Sequence, residues 1–151
     1  MVICSRCQKD VKRYEDHQNF YGGFICQKYH ISKSTSIKTL YHQTSLSIAS
    51  LILKQGLKPS SILGMAGTKG IYFALKPEET HHKCRQMGVI LECRVDIGNI
   101  LKISPNGDVS LSPEAQKQRG DFQSVFIPRT RGNEYVIYDP KRVINIKILK
   151  D

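Results

Sequence analysis

The chain has 151 residues and a formal net charge of +10, a length that suits one compact domain with room for a small appendage. Such a charge predicts a surface field that attracts anions, among them nucleic acid, acidic protein faces and phosphate-bearing ligands. No apolar run approaches the roughly 18 residues of a membrane span, and "MVICSRCQKD" lacks the apolar core of a signal peptide, so an intracellular protein with no membrane partner is expected.

Three of the 5 cysteines fall in the first 26 residues. An odd, clustered set does not read as a secreted disulfide framework and points instead to metal chemistry. Cys4-x2-Cys7 and Cys26-x3-His30 are two ligand pairs spaced for a tetrahedral Cys3His zinc site, with His17 as an alternative to His30 for the fourth position. A head this short cannot bury enough surface to fold alone, so structural Zn2+ is expected to hold residues 1–34 together. "YGGFIC" reads as a hairpin that delivers Cys26, its glycine pair permitting a tight turn. Lys9, Lys12, Arg13, Lys28 and Lys33, interleaved with Tyr14, Phe20, Tyr21 and Tyr29, make the head a candidate nucleic-acid-binding surface.

"KYHISKSTSIKT" (28–39) is polar and rich in Ser, Thr and Lys, and marks the boundary to a body spanning 38–151. In the body, a short apolar stretch around "TLYH" precedes "TSLSIASLILKQGL", where Ser45 can cap a helix that ends at Gly56. Leu46, Ala49, Ile52 and Leu53 recur at helical spacing and Ile48 and Leu51 widen the apolar face, which predicts a mostly buried helix. "GMAGTKG" is a Gly-rich loop that bare backbone could bring close to phosphates, with Lys69 beside it. "GIYFAL" is β-prone, and "THHKC" reads as a solvated helix start. "GVILECRVD" alternates strictly, with Val89, Leu91, Cys93 and Val95 on the face toward the core. "SPEAQKQ" can form a short helix, and "QSVFIPR", "EYVIYD" and "RVINIKIL" follow as strands, the last with Ile144, Ile146 and Ile148 on one face. Many strands with few helices predict an α+β class built on a largely antiparallel sheet.

Three stretches carry the chemistry: "LYHQTS" (40–45), "KGIYFA" (69–74) and "NEYVIYD" (133–139). Together they resemble the catalytic domain of the poly(ADP-ribose) polymerase family, the diphtheria-toxin-like ADP-ribosyltransferases. Those proteins place a His, a Tyr in "GIYFA" and a Glu in a "NEY"-type strand in this order. His42, Tyr72 and Glu134 occupy the motif positions, and the resemblance covers most of 38–151. It implies an ADP-ribosyltransferase-like sheet, NAD as substrate, and transfer of ADP-ribose to a protein or nucleic-acid acceptor with release of nicotinamide. The shortness of the body favours transfer of a single unit over polymer growth.

The chemistry accounts for those residue types. Breaking the ribose–nicotinamide bond passes through an oxocarbenium-like state, as in glycoside hydrolysis. By resemblance, Glu134 stabilises the developing positive charge and orients the nucleophile. His42 positions the adenine-side ribose, and Tyr72 stacks on nicotinamide. The backbone of Gln43, with Thr44 beside it, and the hydroxyl of Thr80 are implied as the clamp for the nicotinamide amide. Two departures stand out: Gln43 follows the His where the family has Gly, and Lys83 falls where many members have a second stacking aromatic, a role Phe122 could share from another loop. These departures sustain a second hypothesis, a catalytically impaired zinc-dependent module that binds nucleic acid or protein. Removal of an RNA 2′-phosphate ranks third, since it does not explain "NEYVIYD".

Overall fold

The computed structural model describes residues 17–20, 23–26, 31–32, 36–82 and 88–149. Strands β1 (His17–Phe20) and β2 (Gly23–Cys26) pair antiparallel as a separate two-stranded hairpin, with His17 opposite Cys26. The side chains of the proposed zinc ligands Cys4, Cys7, Cys26 and His30 lie outside the described residues, as does the basic and aromatic surface of the head.

The body is one eight-stranded mixed sheet. In chain order its strands are β3 (Ile31–Ser32), β4 (Ile37–Thr44), β5 (Ile71–Ala74), β6 (Val89–Asp96), β7 (Ile100–Lys102), β8 (Ser124–Ile127), β9 (Glu134–Ile137) and β10 (Val143–Ile148). They lie side by side as β10-β6-β4-β5-β9-β8-β7-β3, and every pair is antiparallel except β7 with β8. The expected α+β class is therefore present, with one parallel pair in the sheet. Ile31 and Ser32 pair with Leu101 and Ile100, so the sheet takes in two residues from the span 1–34 expected to form the head. Among the described residues no helix is long and apolar enough to cross a membrane.

Both faces of the sheet are covered, and β9 makes the point most directly because all four of its residues are buried. Tyr135 and Ile137 join a core with Leu40, Phe73, Leu91 and Cys93, whereas Val136 packs on the other face with Ala66, Phe122, Val125 and Tyr138. Period-2 alternation here sorts side chains between two cores, not between core and water.

Helix α1 (Leu46–Gln55) begins where the Ser45 hydroxyl accepts from the Ile48 N–H, and ends where the Gly56 N–H donates to Ile52 O. Its expected burial is not met: only Ala49 and Ile52 are buried, while Leu46, Ile48, Leu51 and Leu53 are 42–64% exposed. The sheet covers a narrow stripe of the helix, and the rest of its apolar surface faces outward. Strand β10 departs from expectation in a related way. A bulge between Val143 and Asn145 breaks its alternation at the sheet edge and leaves Ile144 57% exposed. Helix α2 (Pro113–Arg119) forms from the "SPEAQKQ" stretch, capped by Ser112.

The joint between β4 and β5 positions the site. β4 keeps its ladder with β6 along its whole length, from Ile37↔Asp96 to Thr44↔Val89, yet its register with β5 consists of the single pair Tyr41↔Ala74. Beyond that pair the two strands diverge, and the sheet opens between His42–Thr44 on one side and Ile71–Tyr72 on the other.

Candidate active site

A cleft of about 1040 Å³ occupies that opening, at the upper end of the range for small-molecule sites. His42, Gln43 and Thr44 line it from β4, and Gly70, Ile71 and Tyr72 from the start of β5. Glu134 comes from β9, and Ile48, Leu51 and Ile52 from α1. The segment after α1 adds Leu57, Lys58, Ile62, Leu63 and Met65, and the turn before β9 adds Arg129 and Arg131. The three residues singled out for chemistry, distant in sequence, thus meet at one cavity.

His42 is tied to β5 by its ring: Nδ1 lies 3.0 Å from the Tyr72 carbonyl oxygen. A carbonyl only accepts, so Nδ1 carries the hydrogen and Nε2 is left as an acceptor in the neutral ring. Burial holds the imidazole below its ordinary pKa of 6.5, against a smaller upward push from that hydrogen bond. A neutral His42 can therefore accept a hydrogen bond from a ribose hydroxyl at neutral pH. The ring also meets Phe73 edge-on, with centroids 6.3 Å apart.

Tyr72 is anchored at its far end. Its hydroxyl oxygen accepts from the Ala66 N–H at 2.9 Å, while the Tyr138 hydroxyl donates to Ala66 O at 2.7 Å. Two tyrosines, one in β5 and one just after β9, thus grip the main-chain N–H and C=O of a single residue in the loop before β5. Burial, and to a lesser extent the negative field of Glu134, keep the Tyr72 phenol above its usual pKa, so it stays neutral. Gly64 packs directly on this hydroxyl, and a β-carbon there would collide with it. Gly67, at φ 80°, lies against the Leu111 carbonyl with no room for a side chain.

Glu134 is 5% exposed. Its Oε2 accepts from Arg129 Nη1 at 3.1 Å, a pair whose acid side chain is 6% exposed and whose base is 41% exposed. Leaving a carboxylate this deep without a counter-charge would be strongly unfavourable. Arg129 reaches it from a turn that is itself closed, because the Arg129 N–H donates to Asn133 Oδ1 at 3.0 Å. No motif marks Arg129 in the sequence; "IPRTRGNEY" offered only its basic residues five and three positions before the acid.

The remaining expected contacts divide. Gln43 and Thr44 line the cleft and are each 7% exposed. Thr80 is buried, contrary to a solvated helix start, in the 3-10 turn Pro77–His82. It does not line the main cleft but a recess of about 40 Å³ that shares His42, Gln43, Tyr72 and Glu134 with it. Its Oγ1 lies 2.6 Å from Pro77 O and 3.2 Å from Gln43 Oε1, so the hydroxyl closes its own turn and reaches toward β4. Lys69 is exposed, with φ 58°, and does not line the cleft. Phe122 is fully buried in the cluster that includes Val136 and lines neither the cleft nor the recess, so it does not offer a second stacking face to a ligand there. Lys83 lies outside the described residues. Cys93 is core as expected, and burial pushes its thiol up to about 12. Among the described residues no group of three or more His, Cys, Asp or Glu is arranged to hold a metal ion.

No protein-family model matches the chain, and no curated protein is significantly similar to it in sequence.

Proposed function

We propose that the chain is an NAD-dependent ADP-ribosyltransferase that moves a single ADP-ribose unit to a protein or nucleic-acid acceptor. The observation that carries this reading is the convergence of His42, Tyr72 and Glu134, from three neighbouring strands, on one cleft at the split in the sheet. The three motifs are short stretches far apart in the chain, and the fold brings them to one cavity.

In this reading the nicotinamide end of NAD lies against Tyr72 beside the recess lined by Thr80, and the adenine end extends along the apolar lining of α1. Neutral His42 accepts a hydrogen bond from the adenine-side ribose. As the C1′–N bond lengthens, its electron pair leaves with nicotinamide, which departs as a neutral base. The positive charge passing to the ribose is stabilised by the Glu134 carboxylate in a water-poor site. The acceptor's nucleophilic atom then bonds to C1′, and its proton passes to Glu134 or to water. Lys58 and Arg131 line the same cavity and suit the pyrophosphate.

Zinc in the head is part of the proposal, held by Cys4, Cys7, Cys26 and either His30 or His17. The register of the hairpin sets His17 opposite Cys26 and keeps His17 in contention. The head would bring the enzyme to its acceptor, nucleic acid included. An intracellular setting fits both an NAD substrate and a clustered thiol set.

Incubation with labelled NAD tests the reading. A covalent ADP-ribose adduct on the protein or an added acceptor, absent in Glu134→Gln, is expected; if the wild type neither modifies an acceptor nor hydrolyses NAD, the reading fails. The burial of Phe122, which leaves Tyr72 without that stacking partner, favours the alternative of an impaired binding module. In that case zinc chelation abolishes binding and Glu134→Gln changes nothing.

A further inference from the structure

Among the described residues lining the cleft, Glu134 is the one acid and Lys58, Arg129 and Arg131 are the cations. Of these, Arg129 places its Nη1 3.1 Å from the carboxylate. The arrangement poses a problem for the proposed reaction. A carboxylate meant to face a ribosyl cation is already engaged by a guanidinium, and two positive charges at one carboxylate repel strongly in a poorly solvated site. The pair is also asymmetric: the acid is buried and fixed on β9, whereas the base is 41% exposed. The Arg129 main chain is held by Asn133 and, nearby, Gly132 packs on the Glu79 carboxylate. The turn is thereby braced, and the guanidinium is the partly exposed member of the pair.

Resting on the function proposed above, we infer that Arg129 is a positioning and selectivity residue: it is the counter-ion of Glu134 while the cleft is empty, and the positively charged nicotinamide ring of NAD+ displaces it. The exchange keeps the buried acid paired at every stage. It also makes binding of the oxidised dinucleotide carry a penalty that binding of the reduced one does not. NADH has the same pyrophosphate and riboses but a neutral ring, so it leaves the Arg129–Glu134 pair in place. Arg129 therefore narrows the preference of the site for NAD+ over NADH, and once displaced it lies at a cavity whose other cations suit the pyrophosphate.

The experiment compares dissociation constants for NAD+ and NADH, measured by calorimetry at low temperature where turnover is slow, in the wild type, Arg129→Gln, Arg129→Lys and Glu134→Gln. In Arg129→Gln the ratio Kd(NADH)/Kd(NAD+) is expected to rise at least about fivefold, because NAD+ no longer has to evict a cation. Arg129→Lys keeps the charge and stays near the wild-type ratio, which separates displacement from misfolding. In a Glu134→Gln background the Arg129→Gln effect on the ratio disappears. If Arg129→Gln changes both constants by the same factor, the inference is overturned while NAD binding itself stands. A wild type that binds neither dinucleotide overturns the functional reading and this inference with it.

Discussion

On the sheet side of the cleft each functional side chain is held by a specific partner. His42 donates to the Tyr72 carbonyl, Tyr72 accepts from Ala66, and Glu134 accepts from Arg129. Much of the lining from α1 and the segment after it is apolar and open: Ile48, Leu51, Ile62 and Leu63 are each at least 42% exposed. The polar half is fixed in advance, as catalysis requires of groups aimed at a developing charge. The apolar half holds surface in reserve that only an occupant can cover. If that division is functional, damage to the first half should appear in turnover or in stability, and damage to the second in substrate affinity alone.

The largest effect is expected at Glu134. Glu134→Gln keeps the size of the side chain and its capacity to accept from Arg129, so thermal stability should change little. Loss of the charge opposite the ribosyl cation should lower kcat by about 10²–10³-fold. A labelled-NAD transfer assay beside a melting curve checks both halves of the statement. A parallel collapse in Tm would mean that the carboxylate is structural.

Next comes the joint between the two linings. Gly64→Ala places a methyl group against the Tyr72 hydroxyl, so either the ring or the loop must move. Overpacking of this kind destabilises by about 1–3 kcal/mol, read as a fall in Tm. Affinity for NAD should fall as well, because the displaced ring is the proposed nicotinamide platform. Stability lost with affinity unchanged would separate Tyr72 from the ligand.

How far the sequence spoke for each half follows the same line. The strands were legible because period-2 alternation survives in "GVILECRVD" and "EYVIYD", and the ends of α1 because Ser45 and Gly56 cap it. His42, Tyr72 and Glu134 were legible because their flanking strands are distinctive. Arg129 was not, since an ion pair formed across a turn leaves no periodic trace. The exposure of α1 is not legible for a physical reason: an apolar face wide enough to be buried has the same pattern in sequence whether or not the rest of the chain covers it. The exposed Ile144 has a similar cause, because a bulge is decided by the pairing with β6 and not by the residues of β10 alone. Where a residue's environment is set by its own strand or cap the sequence suffices, and where distant segments set it the fold is needed.

A third expectation concerns protons. Burial depresses the His42 pKa below 6.5, so as pH falls below about 6.5 the unfolded chain takes up a proton that the folded chain refuses. The stability associated with the neutral ring is therefore fully present above about pH 6.5 and is lost as pH falls toward the depressed folded value, with a slope of at most about 1.4 kcal/mol per pH unit. His42→Gln should flatten that part of the Tm–pH curve. Affinity for NAD should weaken once the folded ring is protonated, since Nε2 then no longer accepts a hydrogen bond. An unchanged curve in the variant would place the acid sensitivity in another group.

The smallest effect, and the one that bears most directly on the apolar half, is expected at Leu51, which is 53% exposed and lines the cleft. Because the folded protein leaves much of this side chain in water, Leu51→Ser should change stability by no more than about 0.5 kcal/mol. If the adenine end of NAD covers the position, the variant forfeits burial of one or two CH₂ groups at about 0.8 kcal/mol each. KM should then rise roughly four- to fifteen-fold with kcat unchanged, because contacts made equally in the ground and transition states affect binding alone. Ile48→Ser, one turn earlier and 42% exposed, should behave in the same way. A fall in stability with no change in KM would mean that α1 is covered by the protein's own packing and that the adenine end lies elsewhere. A rise in KM at constant Tm would identify the exposed apolar face as a surface kept for the substrate.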